Sequence, residues 1–149
     1  GVRGMSMEGD DELIGMEVVS DSTTATLVTV TRNGYGKRTA LDEYRIQSRG
    51  GKGIITIKTT ERNGKVVDIK LADEDSDLMF ISDQGKVLRT RVGSLSIIGR
   101  NTQGVRLMVL EPDERIVAVA KLAEKDEEDG DKETEEKNVE GGTEEEIPE

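Results

Sequence analysis

The sequence repeats itself with a period of about 51 residues, and this repeat restricts the possible folds more than any other feature. The run at 27–31 aligns with the run at 78–82, and Gly34 aligns with Gly85 at the same offset. A period of this length is typical of supersecondary units that stack and bury their apolar faces against their neighbours. We therefore expect an array of similar units rather than a single irregular domain.

Within each repeat, apolar and polar residues alternate, as they do at 14–18, 55–57 and 67–71. A spacing of two is the signature of a β-strand. Dipeptides such as Asn33-Gly34 and Asn63-Gly64 separate these runs and are typical of tight β-turns. The sequence thus predicts an all-β fold. The predicted hairpins span 2–19, 27–41, 54–71, 78–91 and 105–122.

Two hairpins in each repeat would give the four-stranded blade of a propeller-like array. Five hairpins make about two and a half blades, and the half blade would have an open edge. The opening residues 1–5 match residues 104–108, which are internal to a repeat. We therefore expect the chain to be part of a longer protein, with the partner of the half blade upstream of Gly1.

The net charge of −11 is concentrated at one end of the 149-residue chain. Residues 124–149 contain 14 acids and 3 bases, whereas residues 1–123 contain 18 of each. The acidic segment is nearly free of apolar residues, so we expect a disordered tail at 124–149 after a folded part at 1–123. The tail is either a solubilising appendage or a competitor of a polyanion. In the folded part, the phasing of charges predicts bases on one rim and acids on another.

Several classes of chemistry have no support in the sequence. There is no cysteine and no histidine, which excludes thiolate or imidazole metal sites and Ser-His or Cys-His nucleophile pairs. No apolar run is long enough for a membrane helix, and no signal peptide opens the chain. We predict a soluble, intracellular protein that has no catalytic residues and no metal site within this chain.

The stretch 43–53 concentrates bases and glycines in one loop between repeats. Bases on a backbone that can adopt positive φ and approach another surface closely are suited to phosphate, and loop N–H groups can add donors. The alternative is that the glycines only bend the loop and the bases are solvated. The candidate phosphate contacts are Arg45, Gln47, Arg49, Gly50, Gly51, Lys52 and Gly53 in this loop, with Lys37, Arg38, Arg89, Arg91 and Arg100 elsewhere in the repeats. Arg3 and Arg106 are weaker candidates.

The segment Gln47-Ser48-Arg49-Gly50-Gly51-Lys52-Gly53 resembles the glycine-rich box of the DNA gyrase A-chain family. The family pattern is Gln, basic, Arg, Gly, Gly, basic, Gly, and only Ser48 departs from it. Residues 33–39 and 99–105 resemble the closing repeats of the same family. Whether 47–53 is the principal box or a second copy stays open.

The resemblance implies the C-terminal DNA-wrapping domain of a type IIA topoisomerase, a six-bladed propeller variant called a β-pinwheel. It implies that duplex DNA bends around a basic rim without sequence preference and that the holoenzyme introduces negative supercoils at the expense of ATP. The implied partners are the rest of the gyrase A protein and the gyrase B protein, in an A2B2 heterotetramer. ATP and Mg²⁺ would belong to the gyrase B protein, with no cofactor on this chain, and the location would be the cytoplasm and nucleoid.

Two alternatives stay open beside this interpretation. One is the corresponding domain of topoisomerase IV, which lacks an intact box. The other is a non-catalytic propeller that binds proteins rather than DNA. Tyr35 and Tyr44 are not expected to be topoisomerase nucleophiles, because Tyr35 follows a turn and Tyr44 precedes the box, while the family's catalytic module lies elsewhere.

Overall fold

The computed structural model of the protein describes residues 1–122. This part contains seven β-strands and two short 3-10 helices, and no α-helix occurs within it. The strands are β1 (Thr26–Thr31), β2 (Tyr35–Thr39), β3 (Val66–Ala72), β4 (Asp77–Ser82), β5 (Val87–Arg91), β6 (Val105–Arg106) and β7 (Ile116–Lys121). The 3-10 helices are Leu41–Glu43 and Val92–Ser94. The predicted all-β class is therefore confirmed.

The strands form two antiparallel sheets. The first is four-stranded in the order β3-β1-β2-β6, and the second is three-stranded in the order β5-β4-β7. The pairs β1–β2 and β4–β5 are hairpins, with Leu27 opposite Thr39 in the first and Leu78 opposite Thr90 in the second. These pairs confirm the hairpins predicted at 27–41 and 78–91.

Irregularities in the two sheets recur at the period of the sequence. The register of β1 against β3 shifts between Val30 and Thr31, and the register of β4 against β7 shifts between Ile81 and Ser82. A bulge bends a strand and increases its twist, so equal bulges give the two sheets the same local shape. The structure thus confirms that the sequence period is a structural repeat.

The predictions of the other three hairpins are wrong. Residues 2–19 form no strand pair, and 54–58 form no strand. Strand β3, predicted to pair with 54–58, pairs instead with β1. The predicted hairpin 105–122 is divided, because β6 pairs with β2 in one sheet and β7 pairs with β4 in the other. The period of two shows that a segment is extended, but it does not identify the strand's partner.

The observed strand pairing corrects the predicted count of two and a half blades. Residues 1–122 give one four-stranded and one three-stranded sheet, and the fourth strand of the first, β6, comes from the following repeat. Strand β5, which is equivalent to β2, has no strand on its outer side within residues 1–122, so the second sheet is open at this edge.

Two glycines allow the first sheet to close tightly. Gly34 has a φ of +89° and donates its N–H to the Thr31 carbonyl across the β1–β2 turn. Gly104 has a φ of +77°, and a Cβ there would lie 2.5 Å from the Gly36 carbonyl oxygen. Glycine tolerates both a positive φ and a backbone contact that leaves no room for a Cβ. These two positions therefore allow β6 to approach β2.

One apolar core joins the two sheets. Val28 and Val30 of β1 pack with Leu78 and Phe80 of β4 and with Ile116 of β7, and all five are buried. Except for Phe80 these side chains are aliphatic, as the near absence of aromatic residues in the sequence requires. The sheets therefore depend on each other for burial of their inner faces.

A buried polar side chain fixes the same turn in each repeat. The Asn63 Oδ1 accepts the Thr60 N–H at 2.7 Å, and its Nδ2 donates to the carbonyls of Lys58 and Gln103 at 2.7 and 3.1 Å. One period later, the Glu114 carboxylate accepts the Glu111 N–H at 3.1 Å. A buried amide or carboxylate needs partners to offset its desolvation, and the turn's backbone provides them.

Glu114 has additional partners that keep its carboxylate ionised. Ser82 donates its hydroxyl to Glu114 at 2.6 Å, and Lys86 donates at 2.9 Å. The Ser82 bond first, and then the Lys86 bond, lower the pKa of Glu114 to about 2. The second repeat thus uses a charged group where the first uses a neutral amide.

We expect Asn63→Ala to lower the free energy of unfolding by about 2 kcal/mol, because it removes a buried amide that bonds three backbone groups around the turn. Urea denaturation followed by circular dichroism would measure the change. Asn101→Ala is the matched control, since Asn101 is exposed and makes no side-chain hydrogen bond among the described residues. Equal stability of the two variants would contradict this role of Asn63.

Candidate nucleic-acid interface

The loop 43–55 contains seven of the twelve predicted phosphate contacts. The side chains of Arg45, Gln47 and Arg49 are exposed, and none makes a hydrogen bond or ion pair with another residue of the part that the structure describes. Ile46, between Arg45 and Gln47, is fully exposed as well. Two guanidiniums and an amide are thus available to an external ligand on adjoining positions of one loop.

The backbone of this loop is held by the amino-terminal segment. Gly50 donates its N–H to the Gly4 carbonyl at 2.9 Å, Ser6 donates its N–H to the Gly51 carbonyl at 2.9 Å, and the Ser6 hydroxyl bonds the Gly50 carbonyl at 2.6 Å. Gly50 and Gly53 have φ values of +75° and +79°, as the sequence predicted for this loop. The Gly50 N–H, a predicted donor to phosphate, is already in use within the chain.

Arg100 fastens the two ends of the same loop. Its Nε donates to the Glu43 carbonyl at 2.8 Å and its Nη1 donates to the Ile55 carbonyl at 2.9 Å. The structure therefore places Arg100 against the loop, where two of its donors hold the backbone. Its first role is positional, and its positive charge adds to that of Arg45 and Arg49.

Lys37 is not available to a phosphate, which corrects its assignment from the sequence. It is 1 % exposed, and its Nζ donates to the carbonyls of Gly99 and Arg100 at 2.6 Å each and to Thr102 at 3.4 Å. Burial first, and then the nearby charge of Arg100, lower the pKa of Lys37 to about 8. The ammonium is a structural group that holds the loop 99–102.

Arg38 is corrected for the same reason. It is 4 % exposed, its Nε donates to the Thr26 hydroxyl at 2.7 Å, and its other nitrogens reach the Leu95 carbonyl and the Glu74 carboxylate at 3.3 and 3.1 Å. Three of its five N–H donors are used inside the protein, and its burial keeps the guanidinium away from a duplex. Sequence alone could not separate Lys37 and Arg38 from exposed bases.

Arg89 and Arg91 are exposed on β5 but are already paired. The Asp77 carboxylate accepts the Nε of Arg89 at 2.7 Å and the Nε of Arg91 at 3.1 Å. The Arg89 bond is the largest cause of a lowered pKa for Asp77, so the carboxylate stays charged. Neither arginine contacts the loop 43–55. These two residues are therefore weaker candidates than Arg45 and Arg49.

The predicted separation of bases and acids on different rims is wrong for the amino-terminal acids. Glu8 pairs with Lys52 of the loop, and Asp10 pairs with Lys65 at 3.7 Å. Both pairs are exposed, and exposed ion pairs contribute about 0–1 kcal/mol. Such weak pairing leaves Lys52 able to exchange Glu8 for a phosphate at low cost.

The structure shows a second basic cluster, which the sequence largely failed to indicate. Arg62 and Arg106 both contact Tyr35 at the turn end of the first sheet. From the sequence, Tyr35 was considered only as a rejected nucleophile and Arg106 only as a weak candidate. The one available signal was that Arg62 precedes the predicted Asn63-Gly64 turn.

Within residues 1–122, a metal site and a membrane span would be alternatives to a basic surface. Among residues 1–122, no three acidic side chains are grouped in a way that would hold a metal ion. None of the helices in that range has the length and hydrophobicity that a membrane span needs.

The fold and the exposed basic loop together define a class: an all-β protein of propeller-like repeats that presents bases on an inter-repeat loop. Comparison with protein-family models assigns the family. Residues 1–20, 25–73 and 76–123 match the family described as "DNA gyrase C-terminal domain, beta-propeller". The chain belongs to this family.

Curated relatives agree with the assignment. The chain is 46% identical to the DNA gyrase A protein of Salmonella typhimurium over 124 residues, which is 83% of this chain and 14% of that protein. It is 46% identical to the Escherichia coli K12 gyrase A protein over 132 residues, or 88% of this chain and 15% of that protein. The chain therefore spans about a seventh of the length of the curated relatives that it matches.

Solved structures show the same fold. A DNA gyrase A C-terminal domain superposes with a TM-score of 0.62 at 31% identity, covering 66% of this chain and 33% of that one. A topoisomerase IV C-terminal domain superposes with a TM-score of 0.75 at 19% identity, covering 81% and 38%. The second match concerns the fold alone. The predicted β-pinwheel class is confirmed, and the gyrase interpretation has more support than topoisomerase IV.

The buried ammonium of Lys37 predicts a pH dependence. Its pKa is about 8 in the folded chain and near 10.5 when exposed, so between these values the unfolded chain holds a proton that the folded chain has lost. Stability of the wild type relative to Lys37→Met should therefore rise with pH in this window, by at most about 1.4 kcal/mol per pH unit. Below pH 8 the difference should be constant. Urea titrations of both proteins at several pH values would measure it, and a difference that falls through the window would refute the lowered pKa.

Proposed function

We propose that this chain binds the phosphate backbone of duplex DNA through the loop 43–55. The observation that carries the proposal is that Arg45 and Arg49 are exposed and without partners among residues 1–122, on a loop whose middle and ends are fixed. A guanidinium forms two parallel hydrogen bonds with phosphate oxygens, so two of them can hold adjacent points of a backbone. Membership of the family supports the same ligand.

The fixed backbone of the loop matters for affinity. Arg100 and the segment 4–6 hold the loop in one conformation before any ligand arrives, which reduces the entropy lost on binding. Lys52 adds a point charge once it leaves Glu8. Contacts of this kind reach phosphates rather than base edges, so binding should be independent of sequence and strongly dependent on salt.

We further propose the role that the name of its relatives implies, namely that the chain is a part of a DNA gyrase A protein. DNA bent around the basic surface would present a second segment for strand passage, and the holoenzyme would use ATP to introduce negative supercoils. The partners would be the rest of the gyrase A protein and the gyrase B protein in an A2B2 assembly in the cytoplasm, with ATP and Mg²⁺ on the B protein. This chain would contribute geometry and charge and no catalytic residue.

The first test replaces both free guanidiniums by neutral amides of similar length. Arg45→Gln with Arg49→Gln should lower the affinity for a random-sequence duplex by about tenfold or more at low salt. It should also reduce the slope of log K against log salt by about 1.8, since each phosphate contact contributes about 0.9. Fluorescence anisotropy at several salt concentrations would measure both quantities.

Arg89→Gln with Arg91→Gln is the matched control, because it also removes two exposed arginines but from a carboxylate that already pairs with them. We expect it to change affinity much less. An unchanged affinity of the 45/49 variant would refute the proposed site. No binding of any duplex by the wild type would instead favour a propeller that binds proteins.

The acidic segment 124–149 lies outside the residues that the structure describes, and its role is proposed from its charge alone. We propose that its 14 acids compete with DNA for the basic loop. Replacing the acids by Gln and Asn should then raise duplex affinity, with the largest gain at low salt, where the Debye length is longest. An affinity equal to that of the wild type at every salt concentration would leave only the solubilising role.

A further inference from the structure

Tyr35, Arg62 and Arg106 form a compact cluster, defined here as the tyrosine clamp. The Tyr35 hydroxyl oxygen accepts a hydrogen bond from Arg106 Nη2 at 2.7 Å and another from Arg62 Nε at 3.3 Å. The two guanidinium carbons lie 5.3 and 5.0 Å from the centre of the Tyr35 ring. Three different parts of the chain thus converge on one phenol: β2, β6 and the turn before Asn63.

The two guanidiniums of the clamp have no carboxylate partner among residues 1–122. Glu111 and Glu114 line the same open cleft of about 220 Å³, but neither forms an ion pair with Arg62 or Arg106. The Glu114 carboxylate is already bonded by Ser82, Lys86 and the Glu111 N–H. Within residues 1–122 the two guanidiniums therefore form no ion pair, although two carboxylates line the same cleft.

Holding two like charges around one ring is unfavourable unless something compensates for their repulsion. The ring face and the phenol oxygen supply part of the compensation. They also fix the direction of both guanidiniums, because each is held by one nitrogen and keeps its other N–H groups for another acceptor. Arg115 adds a third guanidinium at the edge of the cleft. Oriented guanidiniums that form no ion pair are suited to binding a tetrahedral oxyanion.

We propose that the tyrosine clamp is a second phosphate-binding site, and that its ligand is a backbone phosphate of the duplex that the loop 43–55 holds. The inference rests on the proposed function for its ligand and on the geometry of the clamp for its site. Arg62 and Arg106 donate to the phosphate oxygens, and Tyr35 orients both arginines and can donate its own O–H.

The position of the clamp relative to the loop supports a shared ligand. Tyr35 and Lys37 are two residues apart on β2, so their side chains lie on the same face of the strand. Lys37 holds the loop 99–102 on that face, and Arg100 of this loop holds the segment 43–55. Lys37 and Arg100 therefore connect the loop 43–55 to the face of β2 that carries Tyr35.

The test compares double variants of the full 149-residue chain in duplex binding. Arg62→Gln with Arg106→Gln should weaken binding by about tenfold and reduce the salt slope by about 0.9 for each phosphate lost. Arg62→Lys with Arg106→Lys keeps the charge but loses the forks, so it should keep the slope and still lose affinity. Tyr35→Phe keeps the ring and removes the acceptor oxygen, so it should lie between the wild type and the Gln pair.

A second measurement uses the wild-type chain, so misfolding of a variant cannot affect it. Arginine Nε–Hε signals in NMR spectra would be followed during titration with inorganic phosphate and, separately, with duplex. We expect the signals of Arg62 and Arg106 to move with both ligands, and with duplex at far lower concentration. Movement with inorganic phosphate alone would show an anion site that duplex does not use, and would overturn the proposal.

The outcomes separate this inference from the proposed function. If the Gln pair at 62 and 106 binds duplex as the wild type does, while the Gln pair at 45 and 49 binds weakly, the clamp is not a site and the loop is. If the wild type binds no duplex but the clamp signals move with inorganic phosphate, the proposed function fails and the anion chemistry of the clamp survives. If nothing moves and nothing binds, both fail.

Discussion

The buried ammonium of Lys37 is the interaction on which the candidate interface depends. Burial of a lysine ammonium is costly unless oxygen atoms accept its hydrogen bonds. Here the carbonyls of Gly99 and Arg100 accept them. Those carbonyls can serve only if the loop 99–102 lies against β2. Once it does, Arg100 extends from the loop to the backbone of 43–55. The position of the exposed box thus depends on a buried charge on the face of β2 away from the apolar core.

One strand of the second repeat joins the sheet of the first repeat and so connects the two repeats. Strand β6 belongs to the second repeat in sequence but completes the sheet of the first, while β7 of the same segment completes the second sheet. The first sheet therefore takes its fourth strand from the following repeat, which links folding of the first repeat to folding of the second. The same pairing places Arg106 of β6 beside Tyr35 of β2. The tyrosine clamp therefore depends on the pairing of β6 from the second repeat with β2 from the first.

Much of the fold could be predicted from the sequence, because the period, the alternation and the Asn-Gly turns are local signals. The exposed box could be predicted for the same reason, since three glycines and two unpaired arginines in one loop are a local pattern. The pairing of the strands could not be predicted from the sequence. A period of two indicates an extended segment but does not identify the distant segment that bonds to it. The burial of Lys37 and Arg38 depends on such distant contacts. The ion pair of Glu8 with Lys52 also joins segments far apart in sequence.

Arg38 and Arg89 show why the sequence repeat is a poor guide to function. They align at the period, yet one is buried and the other exposed. The difference comes from what covers the strand. On β2, the Ile98 N–H bonds the Arg38 carbonyl and β6 covers the edge. On β5, no strand within residues 1–122 covers the equivalent edge, so Arg89 faces outward and pairs with Asp77. An arginine at the same position of the repeat is therefore buried in one sheet and exposed in the other. The segment that packs against the strand determines whether the arginine can reach a phosphate.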